Sequence, residues 1–140
     1  MRSLRRFARL PGADKFLLLR ALFVVSVTRV GLWLLPIGAL RRIVLRTGRK
    51  TRVAPPVTGL VWAVKIVSRY VPVATCLTQA LALQWLLMRS GHASRVCLGA
   101  RKDPEGKFEA HAWVECEGRV VIGGAEAHEY APLTSWKGSL

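Results

Sequence analysis

Apolar positions along the chain change spacing several times, and each change marks a new element. Residues 16–45, FLLLRALFVVSVTRVGLWLLPIGALRRIVL, are apolar on almost every helical face, interrupted by Arg20, Arg29 and Arg41. Pro36 and Gly38 end or kink the run, so the pattern predicts one or two helices with broad apolar faces. Residues 46–59, RTGRKTRVAPPVTG, lose the periodicity and gain basic residues, two adjacent prolines and two glycines, the composition of a linker or loop. Helical spacing returns over residues 59–71, where Val61, Val64, Val67 and Val71 share a face.

The next stretch, VATCLTQALALQWLLMRSGH at residues 73–92, predicts a helix with both ends defined. Pro72 forces an extended approach through Val71, Thr75 is a good N-cap, and Cys76 falls at the first helical position. Leu77, Ala80, Leu81, Gln84, Trp85 and Met88 form its stripe, Arg89 suits the negative C-terminal end, and Gly91 fits the position just past the cap.

Beyond residue 92 the period falls to two. Residues 93–102 and 107–116 flank the turn sequence DPEG, and EG at 117–118 leads into RVVIGG at 119–124, predicting an antiparallel three-stranded meander. In the middle strand Glu109, His111, Trp113 and Glu115 point to one face, and Ala110, Ala112, Val114 and Cys116 to the other. Cys97 and Cys116 are expected on the core face. The tail AEAHEYAPLTSWKGSL reads as a closing segment with Tyr130 and Leu133 packed down and no chemistry of its own. The fold class is therefore α+β.

Composition narrows the function classes. At 140 residues and 51% apolar, the chain holds one real core and is not disordered. The net charge of +14 is lopsided: most of the excess lies in residues 1–52, and the acids gather from residue 103 on, so the first half suits an anionic partner. Three cysteines, none in a C-x-x-C pair, and a basic-then-apolar start without a small-residue cleavage site point to free thiols in a reducing cytoplasm. The arginines cut residues 16–45 into pieces too short to span a bilayer, which leaves peripheral contact through those arginines open. Cysteine and histidine spacings match no common zinc site, and no cofactor is implied.

Two residues carry candidate chemistry. The first turn of a helix exposes unpaired N–H groups and partial positive charge, which favours negative charge on the Cys76 sulfur and can hold an oxyanion. His111 sits mid-strand beside a tryptophan with no cap or turn role. A cysteine in an apolar helix is most often packing, and a lone strand histidine most often structural. Together, however, they are what a thiol hydrolase requires: an imidazole that accepts the thiol proton and returns it to the leaving amine.

These residues carry a resemblance. C-L-x-x-A-L-A-L-x-x-L-L-x-x-x-G from Cys76, V-x-L-G-A from Val96 and A-H-A-W-V-E-x-x-G-R from Ala110, with basic leucine-rich helices upstream, resemble the transglutaminase-like leader peptidases of lasso-peptide biosynthesis across about residues 16–133. The resemblance implies a transglutaminase/papain-like core at residues 59–140, preceded by a basic helical region and linker at 1–58, in one compact unit. It implies Cys76 as nucleophile and His111 as base, removing the leader from a ribosomally made precursor peptide. It also implies a small pocket for a threonine two residues before the cut, a separate leader-binding recognition protein, and an ATP-dependent cyclase that closes the macrolactam.

The family's third catalytic member is an acidic residue on the strand after the histidine. A turn pairing residue 115 with 119 would put Gly123 across from His111, where that carboxylate is expected. Glu126 just beyond is the first choice for the role; Glu109, Glu115, a backbone carbonyl or water are the alternatives, although Glu115 lies roughly 13 Å along the strand. Two other classes stand beside the peptidase. A non-catalytic scaffold presenting precursor to the cyclase would explain the missing carboxylate. A nucleic-acid or membrane-surface binder would explain the charge, but a docking face for an acidic partner protein explains it better than either.

Overall fold

In a computed structural model the protein is described over residues 2–47, 55–124 and 127–138. Five helices precede a four-stranded sheet: α1 (Arg2–Ala8), α2 (Gly12–Leu34), α3 (Ile37–Thr47), α4 (Val57–Ser68), α5 (Cys76–Arg89), β1 (Ser94–Lys102), β2 (Phe108–Cys116), β3 (Arg119–Ile122), a short 3-10 turn (Ala127–Glu129) and β4 (Ala131–Gly138). The sheet is antiparallel throughout, in the order β3-β2-β1-β4.

Helix α2 runs unbroken for 23 residues through Arg20 and Arg29, and it ends where Leu35 turns extended before Pro36. Helix α5 ends as its sequence predicts: the His92 and Gly91 amides donate to the Leu87 and Met88 carbonyls at 2.8 and 3.1 Å, with Gly91 at φ 78°. This closing motif reverses the chain directly into β1. The β1–β2 turn is held by the Asp103 carboxylate, which accepts from the Glu105 and Lys107 amides at 2.9 and 2.8 Å.

A single apolar cluster joins the helices to the inner face of the sheet. It runs from Leu18 and Val25 on α2 through Leu60 and Val64 on α4 and Leu81 and Leu83 on α5 to Val96, Val114 and Trp136. The core is therefore continuous across residue 58.

Three expectations need correction. The tail is not merely a closing segment but a fourth strand, β4, paired with β1. It is fastened by Trp136, whose indole N–H donates to the buried Gln84 Oε1 at 2.9 Å, while Leu133 points to solvent. Cys97 does not face the main core. It lies opposite Trp113 in the register and packs with Trp113 and Tyr130 on the outer face; Val96 takes the inward position. Finally, the β2–β3 turn pairs Cys116 with Arg119, not 115 with 119. Glu117 and Gly118, at φ 53° and 76°, form the tight turn, and the register shifts again between Val114 and Glu115.

Candidate active site

Cys76 is the first residue of α5. Thr75 Oγ1 accepts from the Thr78 amide at 3.3 Å, the cap anticipated from sequence, and the thiol is half-buried against the main core. The approach is strained: Val73, a β-branched residue, is held at φ 56°. Cys97 and Cys116 differ from Cys76 in setting. Burial, then the Glu115 carboxylate, pushes the Cys97 thiol up to about 11. Burial, then Glu117, raises Cys116. Both are held as neutral thiols.

His111 lies on the outer face of β2 with Trp113. Its Nε2 meets the Gly123 carbonyl at 2.8 Å, and its ring stacks on Tyr130 at a centroid distance of 4.9 Å. A carbonyl oxygen only accepts, so Nε2 carries the proton and a neutral ring keeps its lone pair on Nδ1, the arrangement of a base. Gly123 is required for this contact. Its φ is 73°, and a Cβ there would stand 2.7 Å from the Ala112 carbonyl oxygen and 3.2 Å from His111 Nε2. The ring's orienting partner is thus a peptide carbonyl of the residue that the sequence pointed to, reached by a different register.

Of the other candidates for that role, Glu109 is paired with Arg101 at 2.9 Å, and Glu115 accepts from the Trp113 indole at 3.3 Å. Glu126 lies outside the described residues.

Tyr130 was not singled out for chemistry by the sequence, and it is the aromatic wall of the site. Arg101, bonded to both Glu109 and Glu129, lies over its ring at 4.6 Å from the centroid. Gly99, directly opposite His111, makes room for it: a Cβ at Gly99 would come within 2.8 Å of Tyr130 Cβ and 2.9 Å of the Trp113 ring. The glycine of V-x-L-G was the available signal, since a glycine facing a histidine across two strands leaves space for a third side chain. A cleft of about 370 Å³ continues along this outer face, lined by Cys97, Trp113, Leu133 and Thr134 among others.

Ideal element rises put Cys76 and His111 toward the same end of the α/β layer. Thirteen residues of helix at ~1.5 Å each equal about six of strand at ~3.3 Å, which brings the start of α5 level with Gly99 and His111. They do not share a cluster: Cys76 packs on the inner side with α5, His111 lies on the outer face, and among the described residues no hydrogen bond joins them.

The chain belongs to the transglutaminase-like superfamily, whose family model matches residues 18–135. That span runs from within α2 into β4. No curated protein and no solved structure gives a match. Superfamilies of this kind commonly carry cysteine-peptidase-like chemistry.

Proposed function

We propose that the protein is a cysteine peptidase that removes the leader from a ribosomally synthesised lasso-peptide precursor before macrolactam formation. The observation that carries the reading is the capped start of α5: Thr75 engages the Thr78 amide and fixes Cys76 at the first helical position, where the first-turn amides ahead of Thr78 are the ones to hold an oxyanion. The Nε2–H bond from His111 to Gly123 supports it, because it leaves Nδ1 as the proton acceptor.

In the reaction His111 takes the thiol proton, the sulfur attacks the carbonyl of the last leader residue, and the α5 amides stabilise the tetrahedral oxyanion. Protonated His111 then delivers its proton to the departing core amine, and water hydrolyses the thioester to release the leader. Thiol and Nδ1 must come within hydrogen-bond reach for this, and catalytic contacts that are open without substrate tighten when it binds. The outer cleft beside Trp113 is where the leader segment would lie. A separate leader-binding protein delivers the precursor, and the ATP-dependent cyclase consumes the freed amine; the setting is the cytoplasm, with neither metal nor nucleic acid involved.

Gly123 in place of a carboxylate, together with the separation of Cys76 from His111, favours a second reading: a non-catalytic scaffold for the cyclase. Incubating the purified protein with precursor, with and without the leader-binding protein, decides between them by mass. The peptidase releases leader and core as two products. A scaffold leaves the precursor whole, and Cys76→Ala then leaves the yield of mature peptide unchanged.

A further inference from the structure

Helix α2 is apolar on both sides. Leu17, Leu18, Ala21, Val24 and Val25 are buried against α4 and α5. On the opposite side Phe16, Leu19, Phe23, Val27, Val30 and Leu34 recur every three or four residues, and every one is more than half exposed. They form a ridge about 27 Å long, with Trp33 at its far end 80% exposed. Cations stand at both ends: Arg5, Arg6 and Arg9 before the ridge, Arg41, Arg42 and Arg46 on α3 after it, all exposed. Residues 2–47 carry ten Lys and Arg against one acid, Asp14.

We propose that this face of α2 docks on an anionic lipid surface, with the helix lying in the plane of the interface. Against the expectation that its arginines leave pieces too short to span, the unbroken helix is long and apolar enough to cross a bilayer by length and composition, with a mean hydropathy of 1.8 over its best window. Its inner face is committed to the protein core, however, so lipid can cover only the outer half. A convex apolar ridge suits the fluid acyl boundary, which moulds itself around side chains. The guanidinium groups meet lipid phosphates, and Trp33 sits at headgroup level. Charge excludes a second copy as occupant, since pairing two ridges would bring two strongly cationic helical regions together. An acidic protein would satisfy the arginines, yet it would have to supply a matching groove for the ridge.

The test is co-sedimentation of the full chain with vesicles of phosphatidylcholine alone or mixed with phosphatidylglycerol. The protein is expected to bind the mixed vesicles, to bind phosphatidylcholine much less, and to lose affinity as salt rises. Arg41→Gln/Arg42→Gln/Arg46→Gln is expected to weaken binding roughly 100-fold, at about 1 kcal/mol per cation. Phe23→Ser/Val27→Ser is expected to abolish it while circular dichroism and precursor cleavage are unchanged. Failure to sediment with anionic vesicles overturns the proposal. So does binding that survives Phe23→Ser/Val27→Ser, which would mark charge alone, and so does a lipid-free dimer that the same pair of substitutions converts to monomer.

Discussion

Gly123 shows how much one residue can decide. Its carbonyl orients His111, and its backbone conformation costs an L-residue roughly 1–2 kcal/mol. Gly123→Ala is therefore expected to lose at least that much stability, since its Cβ would also crowd the Ala112 carbonyl, and to push the Gly123 carbonyl away from Nε2. Nitrogen NMR of His111 reads the consequence: the wild type holds the Nε2–H tautomer, and the variant shows a mixture. An unchanged tautomer at unchanged stability would deny Gly123 the orienting role.

The cysteines differ in an equally testable way. At neutral pH iodoacetamide is expected to modify Cys76 in the folded protein and to reach Cys97 and Cys116 only after unfolding, as peptide mass mapping would show. Burial raises both of the latter thiols. The unfolded chain therefore ionises them first, near the ordinary 9.0, while folded Cys97 holds its proton to about 11. The stability they contribute is full below pH 9 and is lost as pH rises toward 11. Urea midpoints followed across that range should fall less steeply in Cys97→Val.

At the scale of elements, α5 was legible because everything that defines it is local: the Thr75 cap, the apolar stripe, and Gly91 at positive φ. Thr75→Ala is expected to cost about 1 kcal/mol in urea unfolding. Strand β4 was not legible. Six of its eight residues are exposed and it contains Pro132, so no alternation marks it, and what holds it is a contact from Trp136 to Gln84, 52 residues away. Gln84→Met keeps the volume but strands a buried indole N–H, which should cost about 1–3 kcal/mol. Cys97 was misplaced for a related reason. Strand β1 is covered on both faces, so Val96, Cys97 and Leu98 are apolar in succession and their order does not reveal which points inward. The site was half legible: Cys76 and His111 announce themselves by cap and strand position, whereas the Gly123 carbonyl and Tyr130 depend on a register shift and on the distant fourth strand.

At the scale of the whole molecule, the basic helices and the sheet share one core. Leu18 on α2 is buried in the same cluster as Leu81 and Val114. Leu18→Ala should then cost about 2–5 kcal/mol. Its denaturation should remain one transition, coincident by circular dichroism and tryptophan fluorescence. A C-terminal unit that folds by itself would instead show a second transition insensitive to Leu18.

The same continuity carries α2 into the account of function, since the helix that supports α5 from behind also presents the apolar ridge outward. The mechanism turns on Cys76 as the nucleophile. A single-turnover reaction with precursor and leader-binding protein, quenched in acid and read by intact mass, tests it most directly. A transient adduct of the leader acyl group on Cys76 is expected, heavier by the free leader less one water, absent in Cys76→Ala and strongly slowed in His111→Ala. Cleavage that proceeds in Cys76→Ala, or precursor that stays intact with the wild-type protein, would contradict it.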